Sequence, residues 1–498
     1  EILSGLVGSE MCIRDSYATK YFNYLCGRHC QLCNSLATLN ETFPPDMNTD
    51  SSTPELIAPP APVSFMQALA LWFKLGFIGF GGPAAQISLM HRELVEQRRW
   101  ISEKRFLHAL NYCMLLPGPE AQQLATYMGW LLHKGKGGIA AGVLFVLPSL
   151  FFLITLSWLY IAYGHVPLVA GLFYGIKPAI TAVVVHAVHR IGSRALKNGW
   201  MWAIAAASFV AIFAMNVPFP VIVAAAGLAG YLGGRYMPSK FTVGGAHQQT
   251  DKSYGPALID DDTPTPAHAR FRWSGLIRIL SVGAALWCVP MAILTLQLGW
   301  NHTLTQMGWF FTKAALLTFG GAYAVLPYIY QGAISHYNWL TPTQMIDGLA
   351  LGEANPGPLI MVVAFVGFVG AYVQSVFGPE LQFVAGATAA VLVTWFTFLP
   401  SFIFILAGGP LVESTHDNLK FTAPLTGITA AVVGVILNLA VFFAYHVLWP
   451  TGFNGSFDWI AACMAIVAAI ALVRYKRNVI HVIAASAVIG LLLKTLVL

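Results

Sequence analysis

Charge is what this sequence has least of. Asp, Glu, Lys and Arg together make up 10% of its 498 residues, against about 25% in a soluble globular domain. With 57% apolar residues, there is too little polarity to cover a water-facing surface. A soluble fold is therefore excluded, and an all-α polytopic membrane protein is what remains. Cysteine is sparse and unpatterned. Four of the seven lie in the first 33 residues, and Cys26, Cys30 and Cys33, with His29, match no zinc spacing. Cys113, Cys288 and Cys463 stand singly in apolar segments, as small hydrophobes do. No Gly-Lys-Ser/Thr phosphate loop, Ser-hydrolase elbow or His-Glu-x-x-His occurs, which argues against an ATPase motor and the common hydrolase and metalloprotease sites. No metal and no cofactor are expected. The net charge of +6 bears on membrane topology, not on nucleic-acid binding.

Residues 1–16 read as a translated sequencing-library adapter, and 34–62 as a polar, Pro-rich disordered tail. The segment 1–62 is therefore set aside from the fold.

The rest says the same thing twice. A slide of 239 positions carries Lys74 onto Lys313, Phe80-Gly81-Gly82 onto Phe319-Gly320-Gly321, Trp100 onto Trp339 and Pro117-Gly118-Pro119 onto Pro356-Gly357-Pro358. A slide of 252 carries Leu147-Pro148-Ser149 onto Leu399-Pro400-Ser401. This is a duplicated unit with about a dozen residues inserted in the second copy. The copies are expected at 63–235 and, after a linking span, within 276–498, separated by a polar linker at 236–275.

Apolar runs long enough for full spans occur at 140–163, 167–187, 200–216, 218–234, 276–298, 383–407, 421–446, 457–473 and 479–497. Four further segments, 65–90, 106–132, 308–330 and 346–372, carry Gly-Gly or Pro-Gly-Pro inside them. Such residues break helices, and the freed backbone groups must be buried in protein or line a polar cavity. Broken or re-entrant helices are expected there. Loop 91–105 holds Arg92, Arg98, Arg99, Lys104 and Arg105, and 133–138 holds Lys134 and Lys136, whereas 331–345 and 373–382 hold no Lys or Arg. The positive-inside rule then puts the first two in the cytoplasm and the others outside, as an inverted repeat with an external C-terminus requires.

The candidate site residues follow from the breaks. Lys74 and Lys313 either snorkel to the interface or face a shared anion site. Gly81, Gly82, Gly320 and Gly321 let the backbone approach a ligand. Pro117, Gly118, Pro119 and Pro356, Gly357, Pro358 would restart helices whose N–H ends favour an anion. Gln122, Gln123 and Asn355 supply neutral donors. Glu120 and Glu353 adjoin the breaks and are candidate proton carriers, or alternatively caps or partners of the two lysines. Lys177 is a third intramembrane cation, with Thr429 at the matching position.

Gly79-Phe80-Gly81-Gly82-Pro83, Trp100-Ile101 and Leu116-Pro117-Gly118-Pro119-Glu120-Ala121-Gln122-Gln123-Leu124-Ala125, with Leu317-Thr318-Phe319-Gly320-Gly321 and Glu353-Ala354-Asn355-Pro356-Gly357-Pro358, resemble the two halves of the chromate ion transporter family. The resemblance covers roughly 65–497 and implies a long-chain, two-domain member of the plasma membrane. Such a protein exports chromate on the membrane potential or a proton gradient and confers chromate resistance. Ala322 stands where the first copy has Pro83. Sulfate, which shares chromate's size, shape and charge, a passive anion channel and an intramembrane enzyme are the competing readings, the last without a visible catalytic constellation. A homodimer is left open.

Overall fold

The structure, a computed structural model, describes residues 60–241, 254–264, 266–414 and 422–496. The cysteine cluster at 26–33 and nearly all of the 1–62 tail lie outside them. The described residues are helical and carry one isolated β-bridge.

The segment expected as the first copy runs α1 (Phe65–Ile78), α2 (Gly82–His91), α3 (Glu103–Leu115), α4 (Glu120–Tyr163), α5 (Pro167–Ala195), α6 (Gly199–Phe213) and α7 (Phe219–Tyr236). Helix α8 (Trp273–Leu298) follows the linker. Then come α9 (Thr303–Leu316), α10 (Ala322–Tyr330), α11 (Pro342–Glu353), α12 (Val362–Val373), α13 (Gln382–Ser414), α14 (Thr422–Leu448), α15 (Trp459–Val473) and α16 (Val479–Leu496). Helix α8 is bonded to α9 and α13: Trp287 Nε1 donates to Thr312 Oγ1 (2.9 Å), and Trp395 Nε1 donates to Leu286 O (3.2 Å). Helices α4, α5, α8, α13 and α14 are long and apolar enough to cross a membrane, and α1, α6, α12, α15 and α16 are shorter apolar helices.

Local chemistry recurs at the same slide of 239. Ser102 caps α3 by accepting from Arg105 N–H, and Thr341 caps α11 by accepting from Gln344 N–H. Both α2 and α10 loosen into a π turn, at Arg92–Gln97 and Gln331–His336. Each turn is closed by a buried tryptophan. Trp100 N–H donates to Leu94 O (2.8 Å) and Trp339 N–H to Ala333 O (2.7 Å).

Each expected break is present. Helices α1 and α2 part at 79–81, α3 and α4 at 116–119, α9 and α10 at 317–321, and α11 ends at Glu353 before Pro-Gly-Pro. Helix α4 is not one straight rod. Its backbone leaves helical geometry at His133 and Lys134, and Gly142 then lies against Thr126 while Gly129 lies against Gly137. Residues sixteen apart along a straight helix would be about 24 Å apart, so α4 folds back as a hairpin. In the second copy the corresponding turn is the longer connection between α12 and α13, where the extra residues are accommodated.

The stretch 254–264 does not hang free. Ile259 pairs with Ile101, Leu258 N–H donates to Arg99 O (2.9 Å), and Arg105 Nε donates to Asp260 O (2.9 Å). The part of the polar linker described here is thus laid along the basic loop 91–105.

Candidate functional site

The four breaks are tied together across the two copies. Gly118 N–H, in the first Pro-Gly-Pro, donates to Thr318 O in the second Gly-Gly break (2.7 Å). Gly357 N–H, in the second Pro-Gly-Pro, donates to Gly79 O in the first break (3.0 Å). These bonds exchange onto one another under the slide of 239, so each copy's kink is satisfied by the other's. Serines at matching positions complete both junctions. Gln123 Nε2 donates to Pro117 O (2.8 Å) and to Ser401 Oγ (3.3 Å). Asn355 Nδ2 donates to Ser149 Oγ and to Ser149 O, and Gln86 Nε2 donates to Gly79 O (2.8 Å) and to Gly357 O.

Gly118 and Gly357 have φ of 130° and 110°. A side chain on Gly118 would collide with Ser401 Oγ and Gln123, and one on Gly357 would lie 2.8 Å from Ser149 Cβ. Glycine is therefore required here by both backbone angle and space. Gly82 and Gly321 also have positive φ (78° and 94°), but nothing lies within 4 Å of where a side chain would start. Helices α2, α4 and α10 begin beside these breaks with no side chain capping them, so their first N–H groups remain to be satisfied. Nearby, Gln86 Oε1, Gln122 Oε1, Gln123 Oε1 and Asn355 Oδ1 are buried without a hydrogen-bond partner, although Gln122 Nε2 donates to Thr126 Oγ1 (2.9 Å). Turning such an amide offers its N–H groups to an anion at the expense of an internal bond.

The charged candidates are not all brought together. Lys74 is half exposed and forms an ion pair with Glu93 (2.7 Å), which also takes Arg98 Nε (3.2 Å). Burial alone would raise the Glu93 carboxyl, but the hydrogen bonds and charge of Lys74 and Arg98 outweigh it and hold it below its ordinary value. Lys313 has no carboxylate partner among the described residues and sits over the Trp309 ring at 5.7 Å. Glu353 is buried and accepts from Tyr323 OH. Glu120 opens α4 and pairs with no lysine. Neither glutamate is the partner of Lys74 or Lys313.

Two polar clusters escaped the sequence reading. Arg105 pairs with Glu413 (3.3 Å), which also takes Tyr127 OH (2.6 Å). Lys177 lies 3.6 Å from Asp347, which also takes Tyr160 OH (2.9 Å). Each ties a short helix following a π turn (α3, α11) to the long span of the other copy (α13, α4). Ser149 and Ser401 were visible in the repeated Leu-Pro-Ser. Asp347, Glu413 and Gln86 have no counterpart under the slides, so symmetry could not have found them.

Together these features define an integral, multi-pass helical membrane protein with paired helix breaks meeting across two similar halves. The chain belongs to the chromate transporter family, whose model matches residues 66–231 and 305–491. It is 34% identical over 406 residues to the chromate transport protein of Pseudomonas aeruginosa, covering 80% of this chain and 84% of that one. It is 28% identical over 460 residues to that of Cupriavidus metallidurans, covering 91% and 98%, and 27% identical over 380 residues to a probable chromate transport protein of Synechococcus elongatus, covering 76% and 84%. No solved structure matches the chain.

Proposed function

We propose that the protein is a secondary active transporter that exports chromate as a tetrahedral dianion, from a site at the crossing of the four helix breaks. The observation that carries this reading is the reciprocal pair of backbone bonds, Gly118 to Thr318 and Gly357 to Gly79. It concentrates uncapped helix starts, turnable amides and open glycine faces at the meeting of two halves, where transporters of this build hold substrate. Lys313 is the cation of the candidate set that is free to act there. Glu120 and Glu353 are the proton-carrying candidates.

The two halves are read as inverted. Supporting this, loop 91–105 packs with the linker before α8 and with the end of α13. Loop 331–345 instead meets the start of α7, where Phe219 N–H donates to Gln331 Oε1. On this reading the Arg105–Glu413–Tyr127 cluster closes the cytoplasmic side and the Lys177–Asp347–Tyr160 cluster the external side, and alternating access requires each to open in turn.

Radiolabelled chromate and sulfate flux into proteoliposomes, with pH and voltage gradients imposed separately, tests the reading. Uphill accumulation driven by either gradient is expected. Flux that only dissipates the substrate gradient would identify a passive channel instead. Sulfate accumulation without chromate accumulation would reassign the substrate.

A further inference from the structure

A cavity of about 160 Å³ opens where the linker enters α8, and no residue of the four helix breaks lines it. Its cationic lining is Arg270 and Arg272, with His268 beside them, and its apolar lining includes Trp130, Leu276 and Leu406. Both arginines are exposed and neither forms an ion pair among the described residues. His268 is turned inward, its ring bonded to Trp130 O (3.0 Å). Lys134, at the turn of the α4 hairpin, adds its positive field at His268. Glu413, the acid whose field also reaches His268, is already held by Arg105 and Tyr127. The result is a net-cationic mouth over an apolar floor, at the point where a polar linker becomes a membrane span.

Ile277 and Leu280, on the first turns of α8 next to the cavity-lining Leu276 and Ile279, are exposed apolar residues. A ligand for this arrangement needs an anionic head and a hydrocarbon tail in one molecule. We infer that this pocket binds an acidic phospholipid, its phosphate between Arg270 and Arg272, its glycerol on the Trp130–Leu406 floor and its chains along α8. Basic residues at a membrane surface strengthen attraction to anionic lipid by about fivefold each. A neutral lipid lacks that term, and a soluble phosphate gains nothing from the apolar floor.

Native mass spectrometry of the full chain, titrated with phosphatidylglycerol or with phosphatidylcholine of the same chains, tests the assignment. The wild type should retain phosphatidylglycerol preferentially. The double variant Arg270→Ala, Arg272→Ala should lose the preference by roughly twenty-five-fold, and the Arg→Lys pair should keep most of it. Gly275 lines the cavity with nothing within 4 Å of its open face. Gly275→Trp should therefore block lipid binding with both arginines still in place. Undiminished preference in the alanine pair, or equal retention of the two lipids by the wild type, would overturn the proposal. Competition by inorganic phosphate as effective as by lipid would also overturn it, leaving a soluble-anion site.

Discussion

Among single residues, Gly118 and Gly357 have the least freedom to change, because each must hold an unusual φ and admit a neighbour where a methyl group would sit. Gly118→Ala and Gly357→Ala should each cost about 1–3 kcal/mol in backbone strain alone and push the two halves apart at their junction. A lowered melting temperature together with near-complete loss of flux is expected. Wild-type flux in both variants would mean that the reciprocal bonds are dispensable. The two lysines should behave differently, despite their matching positions. Lys74→Ala takes one of two cationic partners from the buried Glu93 carboxylate and leaves it with Arg98. Lys313→Ala removes the cation without a carboxylate. Chromate affinity should fall roughly ten- to a hundredfold in the second, as for a lost charge-assisted bond, and little in the first. Equal effects on chromate binding would return Lys74 to the site. For the carboxylates, Glu120→Gln and Glu353→Gln keep shape and hydrogen bonding but cannot titrate. One of them should retain substrate exchange while losing pH-driven accumulation. If both accumulate normally, coupling runs through voltage or through another group.

At the level of elements, the breaks were legible because Gly-Gly and Pro-Gly-Pro act on the backbone locally, whatever surrounds them. The recurring caps, π turns and tryptophan plugs were carried by the same slide. What the sequence did not disclose was which break meets which. The pairing of Gly118 with Thr318 and of Gly357 with Gly79 depends on how the halves cross, and no local pattern records that. The polar clusters were hidden for a different reason: Asp347 and Glu413 are single acids in apolar helices, with partners 170 and more than 300 positions away. Removing one partner of a buried pair costs about 3–5 kcal/mol, whereas replacing both by apolar groups can be neutral. On the inverted reading, Asp347→Asn should therefore destabilise the external closure and raise labelling, from outside, of a cysteine introduced beside the helix breaks. Adding Lys177→Met should restore stability without restoring closure. Glu413→Gln should do the equivalent from the cytoplasmic side. Labelling unchanged from either side in all three variants would show the clusters to be structural ties rather than gates.

For the whole molecule, the decisive quantity is the orientation of one half relative to the other. Five basic residues lie in loop 91–105 and none in 331–345, and a bias of this size within short loops is what sets membrane orientation. The contacts agree with it. The linker and the end of α13 gather with the first loop, whereas the start of α7 meets the second. On the inverted reading, helix α8 supplies the odd crossing that lets two similar halves face opposite ways. Both probe positions, Gln97 and Ser335, are exposed. In a background with all seven native cysteines replaced by Ala, Gln97→Cys should react with a membrane-impermeant maleimide only from the cytoplasmic side, and Ser335→Cys only from outside. Reaction of both from one side would make the halves parallel. The reciprocal bonds between Pro-Gly-Pro and Gly-Gly would then have no two-fold axis in the membrane plane to relate them, and a single site built from both halves would lose its basis.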